Sequence, residues 1–179
     1  MKWSARGRPD KDLDETRAAL EKVQPPNDTS LYHFLVFDKE TGKLIGDGGV
    51  HPHSPWFGWP EIGYGIIREA RGQGYATEFL TAFVENWWKL PRTEVEMDVD
   101  VKSAGGTSSG VMVEQLTAMI GAENTASQRL VERCGFRRFK EWEVVDDRPE
   151  SVRHGEKVGL LGYALSSPGP NASTNEETA

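Results

Sequence analysis

The sequence predicts a mixed α/β domain, and three observations carry that prediction. Segments with strand-like alternation and segments with helical periodicity interleave along the chain. The 179 residues are 37% hydrophobic and include six tryptophans, enough for one well-filled core and too little for two ordinary domains. No internal repeat breaks the chain into smaller units.

The first element is a helix over about Asp12 to Val23, with Asp10 or Asp12 as N-cap, acids in its first turn and Pro25-Pro26 beyond its end. "LYHFLVFDKETGKLIGDGGV" then reads as a hairpin, two β-rich runs around a turn containing Thr41-Gly42. "HPHSPWFGWP", His51 to Pro60, is a loop because its prolines cannot donate to a ladder. "EIGYGII", Glu61 to Ile67, is the next strand.

A helix follows over Ala76 to Trp88, with Phe79, Leu80, Phe83, Val84 and Trp87 at a spacing of three to four, and Pro91 closes it. "TEVEMDVDV" alternates apolar and acidic residues like a half-exposed strand. Lys102 to Gly110 has the composition of a flexible loop, either a lid or a surface insertion. "EQLTAMI" is a short buried strand, "NTASQRLVERCGF" a helix stopped near Gly135, and "RRFKEWEVV" and "KVGLLGYAL" are the closing strands. The domain is expected over 1–165. Residues 166–179 lack the apolar content to pack and are expected as a disordered tail.

The net charge of −7 argues against a nucleic-acid or acidic-membrane partner. A single cysteine, Cys134, excludes an intrachain disulfide and fits a reducing compartment. No apolar run has the roughly 20 residues of a membrane span, and the charged first residues do not resemble a secretory signal. A cytoplasmic location is expected. His51 and His53 have no Cys/His/Asp cluster beside them, so no metal is expected; they and Trp56, Phe57 and Trp59 are candidates for a pocket wall or for covering the sheet end.

The corner between "EIGYGII" and the helix after it holds Gly72 and Gly74 among arginines. The first amides of a helix lack intrahelical partners and carry part of its dipole. Glycines let a ligand approach that backbone closely, so the corner suits a phosphate. Arg68 and Arg71 add charge, and Thr77 adds a hydroxyl. No lysine follows Gly74, which excludes a P-loop, and the third glycine of a dinucleotide fingerprint is absent.

Arg71-Gly72-Gln73-Gly74-Tyr75-Ala76 matches Q/R-x-x-G-x-G/A, the acetyl-CoA loop of the GNAT N-acetyltransferase superfamily. Asn124-Thr125-Ala126-Ser127-Gln128-Arg129 with Glu132-Arg133-Cys134-Gly135-Phe136 resembles the N-x-x-S-x-R-x-x-E-[KR]-x-G-F segment of its RimJ/RimL-like branch. The resemblance covers roughly Met1 to Leu165.

It implies a mixed, mostly antiparallel sheet splayed into a V and flanked by helices, with acetyl-CoA as co-substrate lying between Glu61–Ile67 and Gln115–Ile120. The cofactor-binding residues it implies are Ile66, Ile67, Arg68, Arg71, Gly72, Gln73, Gly74, Tyr75, Ala76, Thr77, Asn124 and Ser127. It also implies a backbone N–H near Ile67 for the thioester oxyanion.

An amine acceptor must lose a proton before it attacks. At pH 7 that costs roughly 4–5 kcal/mol for a lysine and about 1 kcal/mol for an α-amine. The resemblance makes Glu61 the candidate base, or else a solvated strand end. It makes Ser127 the candidate acid in place of a tyrosine, since Val131 stands where many relatives carry one; otherwise Ser127 is a helix-start residue bonded to backbone. The expected activity is direct acetyl transfer to a primary amine on a small molecule or a protein N-terminus. The alternative is a weak or inactive CoA-binding or regulatory module. The strand and helix that usually open the family's chains are expected to be missing, and the assembly is expected to be a monomer or homodimer.

Overall fold

The computed structural model describes residues 10–26, 28, 31–51, 56–106 and 110–168. Helix α1, Leu13–Glu21, starts where the Asp12 carboxylate accepts the Glu15 N–H at 2.8 Å, with Asp14 and Glu15 in its first turn. These acids face the positive end of the helix dipole. Strands β1 (Tyr32–Phe37) and β2 (Leu44–His51) form the expected hairpin, and β3 is Glu61–Ile66. Helix α2 spans Tyr75–Trp87, β4 Gln115–Gly121, α3 Thr125–Arg133, β5 Arg137–Val145 and β6 Lys157–Ser166. Of the expected tail, 169–179 lies outside the described residues.

The six strands form one sheet in the order β1-β2-β3-β4-β6-β5. Every neighbouring pair is antiparallel except β3 and β4, which run parallel. Those two meet at a single register pair, Glu61 with Thr117. Around it the Thr117 N–H donates to the Pro60 carbonyl at 2.8 Å and the Thr117 hydroxyl to the same oxygen at 3.0 Å. Beyond this rung the strands part, which gives the expected V.

Helices α2 and α3 cover one face. Leu80, Phe83 and Trp87 of α2 and Leu130 and Val131 of α3 join Leu116, Ala118 and Ile120 of β4, with Leu161 and Tyr163 of β6, in one buried cluster. Alternation then turns Thr117, Met119 and Gly121 to the opposite face.

"TEVEMDVDV" does not form a strand. Residues 91–100 run as irregular chain, and Val95 is 67% exposed. Its backbone bonds to the preceding loop instead of pairing along a sheet edge. The Asp100 N–H donates to the Phe57 carbonyl at 3.0 Å, and the Asp100 carboxylate takes Lys140 at 2.6 Å. Gly58 makes this crossing possible, since it sits at φ 76° and a Cβ there would lie 1.9 Å from the Asp98 carbonyl oxygen. The alternation in sequence does not translate into two faces, since Val95 and Val101 are exposed while Asp100 is largely covered.

The loop after it is anchored rather than loose over its first residues. Ser103 is buried and accepts the Trp59 indole N–H at 2.7 Å; residues 107–109 lie outside the described residues.

Candidate active site

The glycine corner begins with a short 3-10 turn, Arg68–Ala70. Two of its long side chains fold back onto backbone. Arg71 donates from Nε to the Ile66 carbonyl at 2.9 Å, and Gln73 donates to the Glu69 carbonyl at 3.0 Å. Gly72 and Gly74 then adopt φ of 76° and 92°, and nothing lies within 4 Å of a Cβ built on either.

Gly74 is the N-cap of α2 and supplies no side-chain bond. The helical ladder opens with the Thr77 N–H on the Gly74 carbonyl at 2.9 Å, so the amides of Tyr75 and Ala76 precede the first intrahelical bond. Tyr75 holds the corner in place, its hydroxyl donating to Asp38 in the β1–β2 turn at 2.7 Å. Hydrogen bonds from Thr41 and then Tyr75 hold the Asp38 carboxyl down at about 2.

Within the V, Glu61 lies half-buried on the rung where β3 and β4 meet. The oxyanion donor expected near Ile67 is not the Ile67 amide itself. That amide donates to the Ile45 carbonyl at 2.9 Å, closing the β2–β3 ladder. Amides alternate in direction along an antiparallel strand, so with Ile67 turned to β2, those of Tyr64 and Ile66 point to the β4 side. A Cβ built on Gly65 would meet the Asp47 carboxylate at 3.4 Å, an ordinary contact.

The other arm ends at the start of α3. Asn124 is its N-cap, with the side-chain oxygen accepting the Ser127 N–H at 3.3 Å and Nδ2 donating to the Ser127 hydroxyl at 3.0 Å. Ser127 is therefore a helix-start residue, and its hydroxyl still keeps its own proton to give. Val131 is fully buried in the core.

Tyr64 is the residue that sequence reasoning passed over. Its hydroxyl is enclosed without a hydrogen bond of full geometry and faces the Ser127 side chain; burial pushes the phenol up to about 12. The alternation of "EIGYGI" carried the signal, because it puts Tyr64 on the helix-covered face with Ile62.

The aromatic loop before β3 divides. Phe57 is fully buried, edge-on to Phe139 at 5.0 Å and to Trp142 at 5.6 Å. Trp59 is buried on Ser103, so both cover the sheet. Trp56 is 43% exposed and lines a cavity of about 350 Å³ on the face opposite α2 and α3. The His51 side chain and His53 lie outside the described residues. Among the described residues no three His, Cys, Asp or Glu side chains converge on a metal position, and no helix is long and apolar enough to cross a membrane.

Residues 1–137 match the model of the acetyltransferase (GNAT) domain family. A search of curated proteins gave no match. Among solved structures, the chain is similar to a GNAT-family acetyltransferase from Bacillus anthracis, with TM-score 0.60 and 20% identity over 87% of this chain and 75% of that one. It is similar also to a ribosomal-protein-alanine N-acetyltransferase from Brucella melitensis, with TM-score 0.58 and 20% identity over 87% and 78%. A spermidine N-acetyltransferase from Vibrio cholerae, in complex with CoA and spermine, aligns with TM-score 0.61 and 17% identity over 90% and 79%. Identities this low speak for the fold alone. The family match covers most of the chain, which therefore belongs to the GNAT acetyltransferases, acyl-CoA-dependent N-acetyltransferases.

Proposed function

From that membership we propose that the protein moves an acetyl group from acetyl-CoA to a primary amine by direct attack in a ternary complex. The observation that carries this reading is the uncapped start of α2, two left-handed glycines with open space at the mouth of a splayed β3–β4 pair. Such an end accepts a pyrophosphate through backbone amides and dipole. Acetyl-CoA supplies the activated acyl group; the remaining work falls to this chain's own groups.

Glu61, at the apex of the V, takes the proton of the incoming ammonium, directly or through water. The amides of Tyr64 and Ile66 replace that of Ile67 as donors to the oxyanion. Ser127, already accepting from Asn124, donates a hydrogen bond from its hydroxyl to the departing thiolate.

The Asn124–Phe136 motif and the likeness to a ribosomal-protein-alanine acetyltransferase both support the RimJ/RimL-like branch. The acceptor is then a small-molecule amine or a protein N-terminus. We further infer a cytoplasmic protein, monomeric or dimeric.

One observation favours a second reading, a CoA-binding module of weak or no turnover. Val131 is fully buried at the position where many relatives carry an acid tyrosine. Glu61→Gln separates the two readings. An enzyme loses about 10²–10⁴ in rate of CoA release across a panel of amines, with acetyl-CoA affinity unchanged by calorimetry. If the unaltered chain binds acetyl-CoA and releases no CoA with any amine, the module reading stands.

A further inference from the structure

The cavity on the face opposite α2 and α3 has a definite chemistry. Met119 and Gly121 line it from β4, Val158 and Leu160 from β6, Val144 from β5 and Trp56 from the loop. These are apolar groups in a space of about 350 Å³, within the range of small-molecule sites. The ring of Trp56 is tilted on Trp142 at 5.7 Å, so one wall is aromatic.

The rim is charged, and its cations are already engaged. Arg148 faces Asp146 through Nη2 at 2.6 Å and Nε at 2.8 Å, and Ser151 donates to the same carboxylate at 2.6 Å. Arg153 lies 3.3 Å from Glu123 and 2.9 Å from Glu156. Glu123, Asp146 and Asp147 thus outnumber Arg148 and Arg153 around the cavity, and Asp147 is exposed. An anionic ligand would have to break one of these pairs. A carboxylate on the ligand would meet this acidic surplus, and a second ammonium would have to shed water against Val, Leu and Met side chains, whereas an apolar body fits and leaves a single amine toward the Glu61 end.

We propose that this cavity seats the acceptor and selects a monoamine on an aromatic or branched apolar body, over polyamines and over amines that carry a carboxylate. The proposal rests on the acetyl-transfer reading and names the substrate class for it. Its place in the fold fits that role. Met119 lies two residues past Thr117, about 7 Å along β4 from the apex of the V, so a body held there keeps a short alkylamine within reach of Glu61.

The test uses the whole chain and the probe 2-phenylethylamine, followed by tryptophan fluorescence and by calorimetry. Saturable binding is expected, weaker by about tenfold or more in Leu160→Trp, which fills the cavity. Val158→Phe gives the same reading should the larger side chain impair folding. 3-Phenylpropionate, the same ring with a carboxylate, and spermidine are expected to bind more weakly than 2-phenylethylamine. No binding of 2-phenylethylamine, binding untouched in both variants, or preference for either comparison ligand overturns the proposal. A parallel acetyl-CoA titration keeps the two levels apart. If acetyl-CoA binds and 2-phenylethylamine does not, only the acceptor assignment falls. If acetyl-CoA does not bind, the acetyl-transfer reading falls whatever the cavity does.

Discussion

Two helices begin at the open side of the V, and they begin differently. Helix α3 starts with Asn124, whose side chain spends both polar atoms on Ser127. Helix α2 starts with Gly74, which has no side chain to spend, and the nearby Arg71 and Gln73 turn back to the chain behind them. An N-cap side chain stabilises a helix by occupying amides that an anion would otherwise take. A start left bare forgoes that stability and keeps its donors for a ligand. The difference sets a helix end satisfied by its own side chain against one left open, which is where the proposed function puts the pyrophosphate.

The comparison breaks most sharply at Gly74. Gly74→Glu puts a carboxylate where an anion should sit, and acetyl-CoA affinity should fall by about 100-fold or more with the far-ultraviolet circular dichroism unchanged. Its milder partner Gly74→Asn, a residue that tolerates left-handed backbone, should cap the helix and weaken binding by about tenfold without lowering Tm. Undiminished affinity in the glutamate variant would remove the corner from the binding site.

At the other helix start the expected loss is in stability. Asn124→Ala should cost about 0.5–2 kcal/mol, or about 2–4 °C in Tm per kcal/mol for a chain of this size, read by thermal denaturation. A Tm within error of the parent would mean that the cap is not structural.

The smallest effect is expected at the brace beneath the corner. The Asp38 carboxyl lies at about 2 in the fold against an ordinary 3.8. A depressed folded value stabilises above the unfolded one and is lost as pH falls through the folded one. Tyr75→Phe should therefore lower Tm slightly above about pH 4, and its curve should converge on the parent's toward pH 2. A Tm difference that grows on acidification would show the sign to be wrong.

Most of the architecture was readable because its signals are local. Alternation in "EIGYGII", the three-to-four spacing of Phe79, Leu80 and Phe83, and the glycine stop at Gly135 each depend on near neighbours. The corner was legible for the same reason, since positive-φ glycines before a helix betray an uncapped start. The misreadings came from partners distant in sequence. "TEVEMDVDV" has a strand's period, but its hydrogen bonds go to a loop some 40 residues earlier, at Phe57. Which amides of β3 face the V depends on the ladder with β2, so Ile67 could not be assigned from the strand alone. Alternation set the face of Tyr64 but not its meeting with Ser127, and the cavity beside Met119 is a meeting of three strands and a loop, of which periodicity carries no trace.

Because β3 and β4 share only one rung, the sheet is two three-stranded ribbons hinged at Thr117. Each ribbon presents an inner border of backbone donors and acceptors along the gap. A ligand that carries amides of its own into that gap acts as an absent strand, restoring rungs the polypeptide lacks. Saturation and rigidity then become one measurement: the bonds that hold the ligand also weld the ribbons, and melting temperature should climb with ligand concentration by mass action. Amide hydrogen exchange on β3 and β4 should slow in step.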